Sequence, residues 1–209
     1  MLRWLVVIAC LASPSVAFAE APPTPQSAME NYFAGEKTGG YILIGMGAAG
    51  LAAGGLLFRQ SSSTMKGASY PLLTIGLLHV AAGIYINIAS NKRIGDFTNQ
   101  IEKDPSAFVA SESKRMRGVS TQFTVLKIVE CVLIAGGLTM VAVGHETDRP
   151  RLKGAGLALA IEMGATLAFD FSAAARAHEY RDELAVVDQQ SSLDAPAPRT
   201  VMLVHTGVF

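Results

Sequence analysis

The chain has 209 residues, 50% of them hydrophobic and only 16% charged, with a formal net charge of zero and a mean hydropathy of +0.35. Soluble domains average about 25% charged residues, so the deficit points to a membrane. The balanced charge argues against a nucleic-acid binder, and the two cysteines, Cys10 and Cys131, both lie in apolar segments and offer neither a disulfide framework nor a cysteine metal site.

Residues 1–19, MLRWLVVIACLASPSVAFA, have the layout of a secretory signal peptide: one Arg, an apolar run, Pro14, and an A-x-A cleavage site at Ala17 and Ala19. A retained first span would need about 20 apolar residues, more than this run holds. Residues 20–40 carry three prolines and three glycines and read as an extracytoplasmic linker, with a short helix around Ser27 to Phe33.

The first span is expected over 41–58. Its Gly45-Met46-Gly47-Ala48-Ala49-Gly50 has the form of a dinucleotide fingerprint, but no Asp or Glu follows between Glu36 and Asp96 to hold a ribose. Gly47, Gly50 and Gly54 share one helix face instead, which suits close packing of helices. The second span is expected over 70–90, with Pro71 in its first turn. Gly76, His79, Gly83 and Asn87 form one stripe, so His79 and Asn87 should point into the bundle.

Residues 91–121 read as the one long loop, holding an aqueous helix over about 105–120 that is capped by Asp104 and opened by Pro105. The third span, 122–143, carries Lys127 and Glu130 on one face. A tight polar turn leads to the fourth span, 154–175, which carries Glu162 and Asp170. Residues 188–209 read as a flexible tail. Lys66-Gly67-Ala68 and Lys153-Gly154-Ala155 open the second and fourth helices alike, a hint of duplication.

The expected fold is an all-α integral membrane protein: a signal peptide, then an antiparallel four-transmembrane-helix bundle over 41–187. The face holding the linker, the loop and the tail has ten Lys/Arg against five opposite, so the positive-inside rule would make it cytoplasmic. A signal peptide requires the reverse, and because it acts first, both mature termini are expected outside a bacterial inner membrane.

Charges inside hydrocarbon must turn inward and pair. Counting helix rise puts Lys127 level with Asp170 as an ion pair, with Tyr85 and Asn87 nearby, and groups His79, Glu130 and Glu162 in a deeper layer. That layer suits a proton or cation path; its bland alternative is a structural seam that fixes helix register. No His-x-x-Glu spacing supports a metal, and no nucleophile elbow, phosphate loop or haem motif supports an enzyme or a cofactor. The leading expectation is a non-enzymatic accessory or assembly subunit of the envelope. Its partners would be the bilayer and either further copies or another membrane protein, with no nucleotide and no nucleic acid. The alternative is a proton, ion or small-solute transporter using Glu130, Glu162 and His79.

Overall fold

The computed structural model describes residues 23–194; the expected signal peptide, with Ala17 and Ala19, and the last residues of the tail lie outside them. Four helices account for nearly all of this length: α1 (Pro25–Phe58), α2 (Ser63–Lys103), α3 (Pro105–Glu146) and α4 (Pro150–Asp194). Each contains a stretch long and apolar enough to cross a membrane. They form a four-helix bundle.

The helices are much longer than their apolar stretches, and this corrects the expected boundaries. The linker expected over 20–40 is helical from Pro25 onward. Thr24 and Ser27 form a reciprocal capping box, the Thr24 hydroxyl accepting from the Ser27 amide at 3.1 Å and the Ser27 hydroxyl from the Thr24 amide at 3.0 Å. Pro25 sits where a missing N–H costs nothing. The glycines that suggested a loop serve close approach instead: a Cβ on Gly39 would stand 3.2 Å from the Arg176 guanidinium and 3.3 Å from the Phe169 ring.

The long loop expected over 91–121 is likewise helical, apart from a break at Asp104. Residues preceding proline favour extended backbone, and Asp104 has φ −156° and ψ 90°. Its carboxylate then caps α3, accepting from the Ala107 amide at 2.9 Å and the Ser106 hydroxyl at 2.7 Å. Pro71 falls inside α2 rather than at its start, since the helix begins at Ser63. The tail expected from 188 continues as helix to Asp194. Between α3 and α4 the turn places Asp148 at φ 51°, a conformation Asp tolerates better than most residues.

α1 packs along α2, and α3 along α4; the two hairpins then meet through α2 and α4. The meeting is reciprocal. Gly67 lies against the Arg151 backbone, and Gly154 against the Thr64 backbone. Farther along, His79 and Thr166, 87 residues apart, touch each other across the same contact. Lys66-Gly67-Ala68 and Lys153-Gly154-Ala155 have this same offset. The two hairpins therefore present equivalent positions to one another.

The bundle has two unlike halves. At the end where Asp104 lies, the helices close on a buried aromatic core that includes Met29, Phe33, Phe108, Met116, Tyr180 and Leu184. Tyr32 stacks on Tyr180 with ring centroids 4.4 Å apart. The Arg115 guanidinium grips buried Glu112 at 2.6 and 2.7 Å and lies over the Phe33 and Phe97 rings. The other half is apolar outside and small inside. Leu77, Leu78, Ile84, Ile128, Val132 and Ile161 are exposed, while glycines line the helix contacts.

Candidate functional site

Where the two halves join, all four helices surround a cavity of about 480 Å³. α2 contributes His79, α3 contributes Glu130, and α4 contributes Thr166 and Asp170. His79, Glu130 and Asp170 are 6%, 5% and 8% exposed, so little solvent reaches them. The Glu130 and Asp170 carboxyls face each other within hydrogen-bonding reach. Two carboxyls in that arrangement share a proton or a cation, because like charges so close repel.

His79 is oriented by a short chain of hydrogen bonds. The Thr166 hydroxyl donates to the Glu162 carbonyl oxygen at 2.8 Å. Its one hydrogen is then used, so it accepts from Nε2–H of His79 at 3.0 Å. In the neutral ring this leaves Nδ1 as an acceptor. His79 Nδ1 and Glu130 Oε2 are both buried and have no hydrogen-bond partner among the described residues. Buried polar atoms are nearly always satisfied, so these two call for a further partner in the cavity or, for Glu130, for a proton shared with Asp170.

The expected charge layers are redrawn. Lys127 does not pair with Asp170; its ammonium lies 4.8 Å from the centre of the Phe171 ring. Counting along helix axes set depth correctly enough to make the two level, but depth does not fix rotation, and the α4 neighbour that Lys127 meets is Phe171. Glu162 does not join Glu130 and His79. It turns toward α1, where a Cβ on Gly50 would stand 3.5 Å from its Oε1, and lines a separate shallow groove with Ala49 and Leu72. Asp170 takes its place in the cluster. Asn87 is withdrawn to the α1–α2 contact beside Gly40, its amide donating to the Gly83 carbonyl at 2.9 Å. Tyr85 does line the cavity, at 68% exposure.

The packing glycines lie between helices of this chain. Gly47 meets Gly76, Gly50 meets Leu72, Gly54 meets Leu73, and Gly83 meets Gly40 and Ile44.

Sequence reasoning missed the end of the cavity nearest the aromatic core, because it assigned those residues to a linker and to the stretch beyond the fourth span. Tyr32, Glu36 and Arg176 line it there. Glu36 accepts from the Tyr32 hydroxyl at 2.9 Å and from the buried Ser90 hydroxyl at 2.8 Å. Burial, reinforced by the Glu36 charge, pushes the Tyr32 phenol well above its ordinary range. The signal that could have found them is spacing: Tyr32, Glu36, Gly39 and Leu43 recur at helical intervals across the expected linker.

The cavity has an open side. Its exposed lining residues, Ala82, Tyr85, Gln122 and Leu126, all belong to α2 and α3. Those helices are joined beside the Asp104 break, by the Phe97–Phe108 ring contact and the hydrogen bond from Gln100 to Ser111. The mouth therefore opens sideways between α2 and α3. Among the described residues, no group of three or more His, Cys, Asp or Glu is arranged to hold a metal ion. Comparison of the chain with family models, curated proteins and solved structures returned no match.

Proposed function

We propose that the protein is an integral membrane bundle whose central cavity carries protons or a small cation. The observation that supports this is the convergence of His79, Glu130 and Asp170, from three helices, on one cavity where two buried polar atoms have no hydrogen-bond partner among the described residues. Intramembrane acids are costly and mark ion or proton paths. The apolar exteriors and the four apolar stretches support insertion, with spans over about 41–58, 70–90, 122–143 and 154–175. The aromatic half then stands outside the hydrocarbon; in keeping with the signal-like layout of residues 1–19, it faces away from the cytoplasm of a bacterial cell. Flux into liposomes under a pH or cation gradient tests the proposal. Glu130→Gln and Asp170→Asn should abolish flux, and Glu162→Gln should preserve it. Absence of flux in the wild type, or its loss in Glu162→Gln alone, would refute the cavity as the path.

Gly50 and Gly54 pack against Leu72 and Leu73 of the same chain, so they offer no surface to a partner for the accessory-subunit alternative. A different strip favours it. Gly45, Ala48, Ala52 and Gly55 share one outward face of α1, and a Cβ on Gly45 or Gly55 would meet nothing within 4 Å. Such a strip suits close contact with another span. Gly45→Leu with Gly55→Leu should weaken assembly on a native gel, and unchanged migration would count against this role.

A further inference from the structure

We infer that the cavity takes an amphipathic organic cation, an amine with a compact apolar body, which enters sideways between α2 and α3. The inference rests on the cation-binding cavity proposed above and specifies what occupies it.

Glu130 Oε2 and His79 Nδ1 are buried and have no hydrogen-bond partner among the described residues, with the Asp170 carboxyl beside them. A guest that takes the place of the proton between the two carboxyls donates hydrogen bonds and offsets negative charge. An ammonium does both. Among the described residues no cation forms an ion pair with the two carboxyls, although Lys127 attracts both from farther off. Lys127, on the same helix as Glu130, is held over Phe171. Arg176 and Glu36, of opposite charge, lie toward the aromatic core, where Arg176 donates to Ser172 at 2.9 Å and Glu36 is occupied by Tyr32 and Ser90.

A cavity of about 480 Å³ is far larger than a bare ion needs and falls in the usual range for small organic ligands. Most of its wall is apolar, with Leu43, Ile86, Leu126 and the rings of Phe123 and Phe169. Aromatic faces attract organic cations and accommodate their apolar bodies. A divalent metal would find only the acid pair and one histidine, which do not form a coordinating group.

The mouth is framed by Ala82, Tyr85, Gln122 and Leu126, in the apolar half of the bundle next to the aromatic half. At that level a lateral opening faces the boundary between acyl chains and headgroups, where amphipathic amines concentrate.

The test is calorimetric titration of the full-length protein in mild detergent with N-methylbenzylamine, and with benzyl methyl ether as a neutral analogue. Wild type should bind the amine saturably, one per chain, and leave the ether unbound. Glu130→Gln should weaken binding at least tenfold. Ala82→Trp, which narrows the mouth without touching the acid pair, should do the same, and helix content by circular dichroism should remain that of wild type in both. No saturable binding by wild type at millimolar amine, equal binding of the ether, or unchanged affinity in both variants would overturn the inference. Proton flux in liposomes without amine binding would overturn it while sparing the transport role; amine binding without flux would support it and remove the transport role.

Discussion

Gly47 of α1 and Gly76 of α2 meet backbone to backbone, so closely that a Cβ on Gly76 would stand 2.9 Å from the Gly47 carbonyl oxygen. In the membrane setting proposed above, burial between apolar helices supplies little net drive, and close van der Waals contact must hold the pair. Gly76→Leu should therefore force α1 off α2 within one chain and destabilise it by about 1–3 kcal/mol. Gly136→Leu is the control, because nothing lies within 4 Å of a Cβ there; its effect should stay within about 0.5 kcal/mol. Thermal melts in detergent, followed by circular dichroism, compare the two.

Phe33 is fully buried among Tyr32, Phe97 and the rest of the aromatic core. Phe33→Ala should cost about 3–5 kcal/mol through lost transfer energy and the void left behind. The loss should be local. Amide exchange should rise over the first turns of α1 and α3 and the ends of α2 and α4, while the glycine-packed half keeps its protection. Uniform loss along the helices would show instead that the halves unfold as one unit.

Four apolar helices in a bundle were legible in the sequence because apolar runs of span length are a strong signal. Their true ends were not. Beyond each run the buried face is carried by few residues, such as Met29, Phe33, Phe108 and Tyr180, separated by charges and by Gly35, Gly39 and Gly40. Gly and Pro punctuate loops in water-soluble chains, but here these glycines admit a neighbouring helix, and Pro25, Pro105 and Pro150 open helices. The charged residues of the site stood out against their apolar surroundings. Which of them meet did not, because periodicity gives each helix a face and leaves its rotation against its neighbours open. Asp170 faces Glu130 while Glu162, two turns earlier on α4, lies toward α1, a difference of helix rotation that the spacing of charges along α4 does not reveal.

Glu112 is 1% exposed and is held by Arg115 through two hydrogen bonds of 2.6 and 2.7 Å. Removing one partner of a buried pair strands the other charge, at a cost of about 3–5 kcal/mol. Arg115→Met should therefore destabilise strongly. The double variant Arg115→Met with Glu112→Leu should recover much of the loss, since an apolar pair leaves no stranded charge. A double-mutant cycle from chemical unfolding measures the coupling. Additive losses would mean that the pair contributes as two independent side chains.

Asp104 separates α2 from α3, and its charge should be felt as a pH dependence. The Ala107 amide and then the Ser106 hydroxyl, both bonded to its carboxylate, hold its pKa below the ordinary 3.8. A carboxyl whose folded pKa is depressed contributes stability above its unfolded value and loses it as pH falls through the folded value. Wild type should thus melt higher than Asp104→Ala near neutral pH, with the gap shrinking only once pH drops below about 3.8. Asp104→Asn keeps an acceptor for the Ala107 amide but cannot titrate, so its own advantage over Asp104→Ala should not depend on pH. Melting temperatures of the three proteins across the acid range separate the charge from the cap: if the gap between wild type and Asp104→Ala stays constant into strong acid, the cap holds α3 through geometry alone.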